Sequence, residues 1–446
     1  MKTFTLTLLS AAALSIVASS QSVAAEQASW KLDFGGAAAP GYVAVKPGSA
    51  FTTEVGYGFE EGSAVTAATA GGADKLRDGF VASDKPFLFS VSVPEGVYRV
   101  TVTLGDAQGT STTTVKAEAR RLMLEKVETA KGKFETRTFN VSVRRPDLPG
   151  EKKVSLKPVE LDGHRDWDNK LTLEFSNARP CLCALEIAPM ENVTTIYIAG
   201  DSTVTDQRNE PYAGWGQMLP RFFTDAIAVS NHAHSGLALF SFAGGKRLEK
   251  ILSTMKKGDY LFIQFGHNDQ KDKSSGAGPF TTYKANLKKF VEAMRSKGGI
   301  PVLVTPMERR RFEKDGKQTA TLADYAEAVR QVGAEEKVPV IDLNAMSLKF
   351  YAALGPENSK KAFVYAPANT FPGQDKPLSD DTHHNAYGGY ELARCVIEGI
   401  KANVPALATH LTKDAGTFDP AKPDEPEKVA IPASPLNGPT EKPAGS

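Results

Sequence analysis

Val193-Thr-Thr-Ile-Tyr-Ile-Ala199, followed at once by Gly200-Asp201-Ser202, is a short β-branched and apolar run closed by a glycine turn. A run of this kind suits a strand covered on both faces, as in a parallel sheet. Further runs occur at Ile227-Ala-Val229, Tyr260-Leu-Phe-Ile-Gln-Phe265, Pro301-Val-Leu-Val304 and Val338-Pro-Val-Ile-Asp-Leu343. Helix patterns lie between and after them. Over 282–297, Tyr283, Leu287, Phe290, Val291 and Met294 recur at helical period and Gly298 stops the run, and 322–337 and 387–400 read likewise. Strand and helix in alternation imply an open parallel α/β sheet, whose ligand site lies at the carboxyl ends of its strands.

Outward from that core the pattern changes. Over 26–190 the chain is β-rich and carries Gly, Pro, Asp and Asn turns with no convincing helix, which points to an all-β sandwich of jelly-roll type. Phe87-Leu-Phe-Ser-Val-Ser-Val93, the turn Pro94-Glu95-Gly96 and Val97-Tyr-Arg-Val-Thr-Val-Thr-Leu104 read as a hairpin. The domain expected to carry the chemistry spans 191–412. From 413 to 446 prolines alternate with charged and small residues, a composition that cannot bury a core of its own and reads as a disordered tail.

At the other end, Met1-Lys2 precedes an apolar run from Leu6 to Ala18 and the small residues Val23-Ala24-Ala25. The run falls short of the ~20 residues that span a bilayer, so residues 1–25 read as a cleaved leader and the protein as secreted or periplasmic. With 53 basic and 52 acidic residues and a net charge of +1, the chain has no global field to recruit nucleic acid or a membrane surface. Cys181, Cys183 and Cys395 form no C-x-x-C pair and no disulfide among them is expected. His383 and His384 are adjacent rather than four apart, so no metal site is apparent.

The motifs sit where the sheet argument puts a site. Ser202 follows the first buried strand, and a serine hydroxyl is a weak nucleophile until a neighbouring base accepts its proton. Asp380-Asp381-Thr382-His383 supplies such a base, because an Asp three residues ahead of a His can hold Nδ1 and leave Nε2 free. Gly266-His267-Asn268-Asp269 follows the Tyr260 run. There the Asn268 amide, with the N–H groups of Gly236 and Ser202, can donate to a developing oxyanion. Asp269 reads as structural. Arg309 and Arg310 stand open between guanidinium contacts to uronate carboxylates and a solvated loop, and Trp215 and Tyr212 between sugar stacking and core.

Gly-Asp-Ser, a glycine after an Asn-x-Ala segment, Gly-x-Asn-Asp and Asp-x-x-His, in that order, resemble the four signature blocks of the SGNH hydrolases. Gly200-Asp-Ser-Thr-Val-Thr205, Gly214-Trp-Gly-Gln217, Phe265-Gly-His-Asn-Asp-Gln270, Val304-Thr-Pro306 with Arg309 and Arg310, and Asp380-x-Thr-His-x-Asn385 are similar to the rhamnogalacturonan acetylesterase group. That resemblance covers about 193–404 and implies a flavodoxin-like three-layer α/β/α domain. It also implies Ser202 as nucleophile, His383 as base, Asp380 as its orienting acid, and an oxyanion hole from the Ser202 and Gly236 N–H groups and Asn268. Leu237-Ala238 departs from the Arg-Ser expected after the glycine, which puts a substrate contact there in doubt. The first domain resembles galactose-binding-like jelly rolls, as a glycan binder or as a platform for the second. The expected activity is removal of O-acetyl groups from an acetylated plant cell-wall polysaccharide such as pectin, with no cofactor. The alternatives are an acetylxylan esterase, lipase or thioesterase of the same fold, or a non-catalytic glycan-binding protein.

Overall fold

The computed structural model describes Met1 and residues 29–161, 165–435, 440 and 442–443. Apart from Met1, the expected leader lies outside the described residues.

The first domain is a sandwich of two five-stranded sheets. One runs in the order Lys133–Val143, Gly96–Asp106, Ala184–Pro189, Trp30–Phe34, Val43–Val45, and the other Tyr57–Phe59, Phe87–Ser92, Lys170–Ser176, Ser111–Ala117, Arg121–Thr129. The expected hairpin is therefore corrected. Phe87–Ser92 pairs with Lys170–Ser176 and Tyr57–Phe59, whereas Gly96–Asp106 pairs with Lys133–Val143 and Ala184–Pro189 in the opposite sheet. Alternation in the sequence identified the inward residues but not their partners, and Pro94-Glu95-Gly96 lacks the Asn-Gly chemistry of a tight hairpin. Between the sheets, Phe89 meets Phe34 and Phe59 edge to face at 5.1 Å each.

The second domain carries a five-stranded parallel sheet in the order Ile227–Asn231, Thr194–Gly200, Tyr260–Gln264, Ile300–Val304, Val340–Ile341. Numbered along the chain this is 2-1-3-4-5, the flavodoxin-like order, whose switch point lies at the carboxyl end of Thr194–Gly200. From Ile196 to Ala199 that strand is apolar because it serves two cores. Ile196 and Ile198 face one with Val229, Phe262 and Val302, and Tyr197 and Ala199 face the other with Leu261, Ile263 and Leu303. Lys284–Ser296 and Ala323–Glu336 cover the second core, burying Leu287, Phe290, Val329 and Val332. Ala386–Asn403 covers the first with Leu343–Asn358, a helix the sequence reading lacked, whose Asp342 cap accepts the Ala345 N–H at 3.3 Å.

The expected disordered tail is also corrected for 413–435. Ala415 and Phe418 are buried in the first of these cores, and the Tyr387 hydroxyl donates to Asp424 O at 2.7 Å. Lys116 of the sandwich donates to Pro432 O and to the Ser434 hydroxyl, while the Ser434 N–H donates to Glu210 at 2.9 Å. Too apolar-poor to fold alone, the segment finds its partners on both domains. The three cysteines are buried and free.

Phe89 is 1% exposed and packs against aromatic rings from two other strands. Phe89→Ala is expected to cost about 3–5 kcal/mol of stability, read from the shift of the denaturant midpoint.

Candidate active site

Gly200 ends the first strand of the parallel sheet, and the chain turns over the sheet's carboxyl edge at Asp201-Ser202-Thr203. Asp201 is fully buried and its Oδ1 accepts the Thr203 N–H at 2.9 Å and the Thr203 hydroxyl at 2.7 Å, which fixes the peptide carrying Ser202. Burial works to raise the Asp201 carboxyl, but His267, 3.5 Å from its Oδ2, and Thr203 outweigh that and hold it below its ordinary value. Gln207 Nε2 donates to the Ser202 carbonyl from the other side.

The histidine arrives on a separate element. Leu378–His384 pairs antiparallel with Phe363–Ala366, and Asn385 then caps Ala386–Asn403 by accepting the Gly388 N–H. Within that strand His383 Nε2 lies 2.8 Å from Ser202 Oγ, and His383 Nδ1 lies 2.8 Å from Asp380 Oδ2. A carboxylate only accepts, so Nδ1 carries the proton and Nε2 faces the serine as acceptor. Asp380 is held in turn, its Oδ1 accepting the N–H groups of Thr382 at 2.9 Å and His383 at 3.0 Å. Burial works to raise this carboxyl, yet His383 and those two N–H groups bring it from 3.8 down to about 2.

The neighbouring histidines are placed differently. Burial first, then the charges of His383 and His267, push His384 down to about 3, and its Nε2 meets the Tyr351 hydroxyl at 2.8 Å. Burial likewise lowers His267. Of the three, His383 alone joins a hydroxyl to a carboxylate.

Two loops complete the rim. The 234–237 turn lies against the strand end, its His234 N–H donating to Gly200 O at 3.2 Å. Gly236 sits there at φ +81°, where a side chain would be strained. Asn268 gives one amide N–H to Leu237 O at 3.1 Å, and Asp269 accepts the Leu239 N–H at 3.0 Å, so the 266–269 segment braces the Gly236 turn. Burial raises the Asp269 carboxyl to about 7, and its contact agrees with the structural role expected.

Three sequence-derived substrate contacts change. Trp215 is fully buried and donates its indole N–H to Gln264 Oε1 at 2.7 Å, so it is core. Tyr212, 2% exposed, stands edge-on to the His383 ring with centroids 5.9 Å apart. Arg310 spends its fork internally: Nε donates to Ser359 at 3.0 Å, Nη1 to Asp381 at 2.7 Å, and the plane lies over Tyr365. It braces the Asp380-Asp381 stretch instead of meeting substrate. Arg309 is half-buried; its hydrogen bonds go to neutral acceptors, Gln270 Oε1 at 3.0 Å, Thr321 Oγ1 at 3.3 Å and His267 O at 3.5 Å, while the Glu308 and Asp201 carboxylates act on it through space. Sequence reasoning missed Gln207, which nothing in its local pattern marks out. Among the described residues no cluster of His, Cys, Asp and Glu is arranged to hold a metal ion.

A 2-1-3-4-5 parallel sheet whose first strand delivers a serine to a histidine and an aspartate before the last helix is the architecture of the SGNH hydrolases. Residues 198–388 match the GDSL-like lipase/acylhydrolase family, and 30–147 match a beta-agarase/YXIM esterase-like, galactose-binding domain-like family. Rhamnogalacturonan acetylesterase RhgT of Bacillus subtilis (strain 168) is 40% identical over 229 residues, covering 51% of this chain and 98% of that protein. The uncharacterized esterase YxiM of the same strain is 29% identical over 390 residues, covering 85% of this chain and 92% of that one. The crystal structure of YxiM aligns at 27% identity and a TM-score of 0.44, covering 84% of this chain and 98% of that one. The chain belongs to the GDSL-like lipase/acylhydrolase family: it is an esterase with a galactose-binding-like domain ahead of its hydrolase domain.

The lowered Asp380 has a consequence for stability. A carboxyl held near 2 in the folded chain against an ordinary 3.8 adds stability above 3.8 that is lost as pH falls through about 2. In Asp380→Asn, the stability difference between about pH 5 and pH 2 is expected to shrink by on the order of 1–2 kcal/mol, read from urea melts.

Proposed function

We propose that the protein removes O-acetyl groups from an acidic plant cell-wall polysaccharide, rhamnogalacturonan being the favoured substrate, with Ser202, His383 and Asp380 as a catalytic triad. The observation that carries this reading is the unbroken relay of 2.8 Å contacts from Ser202 Oγ through His383 to Asp380 at the edge of the sheet.

Ser202 Oγ attacks the acetyl carbonyl carbon as His383 Nε2 takes its proton, and Asp380 stabilises the imidazolium and keeps its ring in place. The carbonyl oxygen becomes an oxyanion facing the N–H groups of Ser202 and Gly236 and an amide N–H of Asn268. Collapse expels the sugar oxygen, to which His383 returns the proton. Water then attacks the acetyl-serine with His383 again as base, and acetate leaves. Ser202 is 1% exposed, which suits a short acyl group over a long chain.

Two supports bear on the polymer. RhgT, 40% identical, is a rhamnogalacturonan acetylesterase. Arg309 lies beside the 266–270 segment, and its hydrogen-bond partners are all neutral, which suits it to a uronate carboxylate. Such a polymer is met outside the cytoplasm, so the reading carries with it an exported enzyme, as the leader at residues 1–25 suggests.

Ser202→Ala is expected to lower kcat by several powers of ten, triad deletions elsewhere costing on the order of a millionfold. Asn268→Ala should cost about 10²–10³ in kcat. Acetate release from acetylated pectin measures both, and a Ser202→Ala enzyme retaining a tenth of the activity would exclude the nucleophile assignment. Arg309→Met is expected to raise KM about tenfold on acetylated rhamnogalacturonan while leaving acetylated xylan and aryl acetates little changed. An equal rise on the neutral esters would remove Arg309 from uronate recognition and with it the case for an acidic polymer.

A further inference from the structure

The sandwich reaches the nucleophile through one hairpin tip. Between Ser111–Ala117 and Arg121–Thr129, Glu118 and Arg120 adopt left-handed backbone at φ 55° and 65°, a conformation seldom kept by residues other than glycine without compensation. Here the compensation is polar. Arg120 and Arg121 are 5% and 1% exposed; the Arg120 guanidinium ends among residues of the second domain, and that of Arg121 bridges Ser142 and Asp166 of the first domain and Asp206 of the second.

Arg120 Nη1 donates to Gln207 O and to Tyr212 O, each at 3.0 Å, and its Nη2 pairs with Glu210. Those two carbonyls belong to the residues that meet the serine and the histidine. Gln207 donates through its amide to the Ser202 carbonyl, and the Tyr212 ring stands edge-on to His383. Next to Tyr212, the Ala213 N–H donates to His384 O at 2.8 Å, tying the same segment to the histidine strand. Gln217 adds a second tie, giving its amide to Ala119 O at 2.8 Å and to Gln207 O at 3.0 Å. Arg121 Nε, 3.0 Å from Asp206, holds the start of the segment.

We infer that Arg120 is a positioning residue for the esterase reaction: from the galactose-binding-like domain its planar fork sets the 202–213 segment, and so the distance between Ser202 Oγ and His383 Nε2. This rests on Ser202 and His383 being nucleophile and base. The active site is then completed by the first domain, whatever that domain binds. A fork that spans two carbonyls and a carboxylate is not reproduced by an ammonium point charge, so Arg→Lys is not conservative here. A displacement of about 1 Å at the reacting atoms costs on the order of 10²-fold in rate.

The test uses the full chain, an aryl acetate too small to reach distant subsites, and active sites counted by fluorophosphonate titration. Arg120→Met is expected to lower kcat per titrated site about 10²-fold, and Arg120→Lys about tenfold, with KM within about twofold of the parent. The fluorophosphonate labelling rate should fall in step. Asn140→Ala removes side-chain donations to Asp225 O and Ile227 O at the same domain contact, away from the 202–213 segment, and is expected to keep kcat. Gln207→Met cuts the next link while leaving both carbonyls that Arg120 holds. It is expected to lower kcat per site as well, and it decides the matter should the Arg120 variants fail to fold. Normal kcat per site in the folded Arg120 variants, or in Gln207→Met where they do not fold, would overturn the proposal and leave Arg120 a fastener between domains. Full activity of Ser202→Ala would instead overturn the triad reading beneath it.

Discussion

Thr194–Gly200 has one parallel neighbour reached by chain that goes on to Ile227–Asn231 and another that goes on to Tyr260–Gln264. The connections that leave Thr194–Gly200 and Tyr260–Gln264 at their carboxyl ends part to opposite faces, and the parted loops leave a crevice that side chains can line but no strand can fill. Everything chemical in the molecule is arranged around that gap. The Asp201-Ser202 turn forms its floor, the 234–237 and 266–269 turns form one wall, and the Leu378–His384 strand brings the imidazole from the other side. The two cores pressing on Ile196, Ile198, Tyr197 and Ala199 keep the floor from shifting.

How much of this could be read beforehand followed from where each residue's partner lies in the chain. Strands covered on both faces announce themselves as unbroken apolar runs, so the parallel sheet was legible from Ile196, Phe262 and Val302 and their neighbours. Asp380 and His383 were legible because an i, i+3 contact is local. Trp215 and Arg310 were not, since what decides their roles is Gln264 in one case and Ser359 and Asp381 in the other, all distant in sequence. The sandwich shows the same limit: alternation told which residues of 87–104 point inward, while the two runs proved to belong to opposing sheets. For 413–435 the reading counted only the segment's own apolar residues, and its partners lay on Lys116, Glu210 and Tyr387.

Arginine is almost never fully buried unless it is paired. The structure puts Arg120 and Arg121 at the contact between domains, with Lys116, Glu118, Glu174, Asp206 and Glu210 buried around them. Paired and hydrogen-bonded charges of this kind add little net stability over an apolar contact, but removing one partner strands the other at a cost of about 3–5 kcal/mol. What such a contact confers is geometry, because each fork accepts one arrangement of its acceptors.

The left-handed tip at 118–120 also bears on ancestry. A β-sandwich is commonly pictured as a bead that recombination can thread onto any neighbour. Here the bead carries the counter-ions for Asp206 and Glu210 of the next one, so replacing it with a sandwich lacking Arg120 and Arg121 would leave orphaned charge near Ser202. In this chain, a substitution along 118–121 and one along 206–212 act on the same ion pairs.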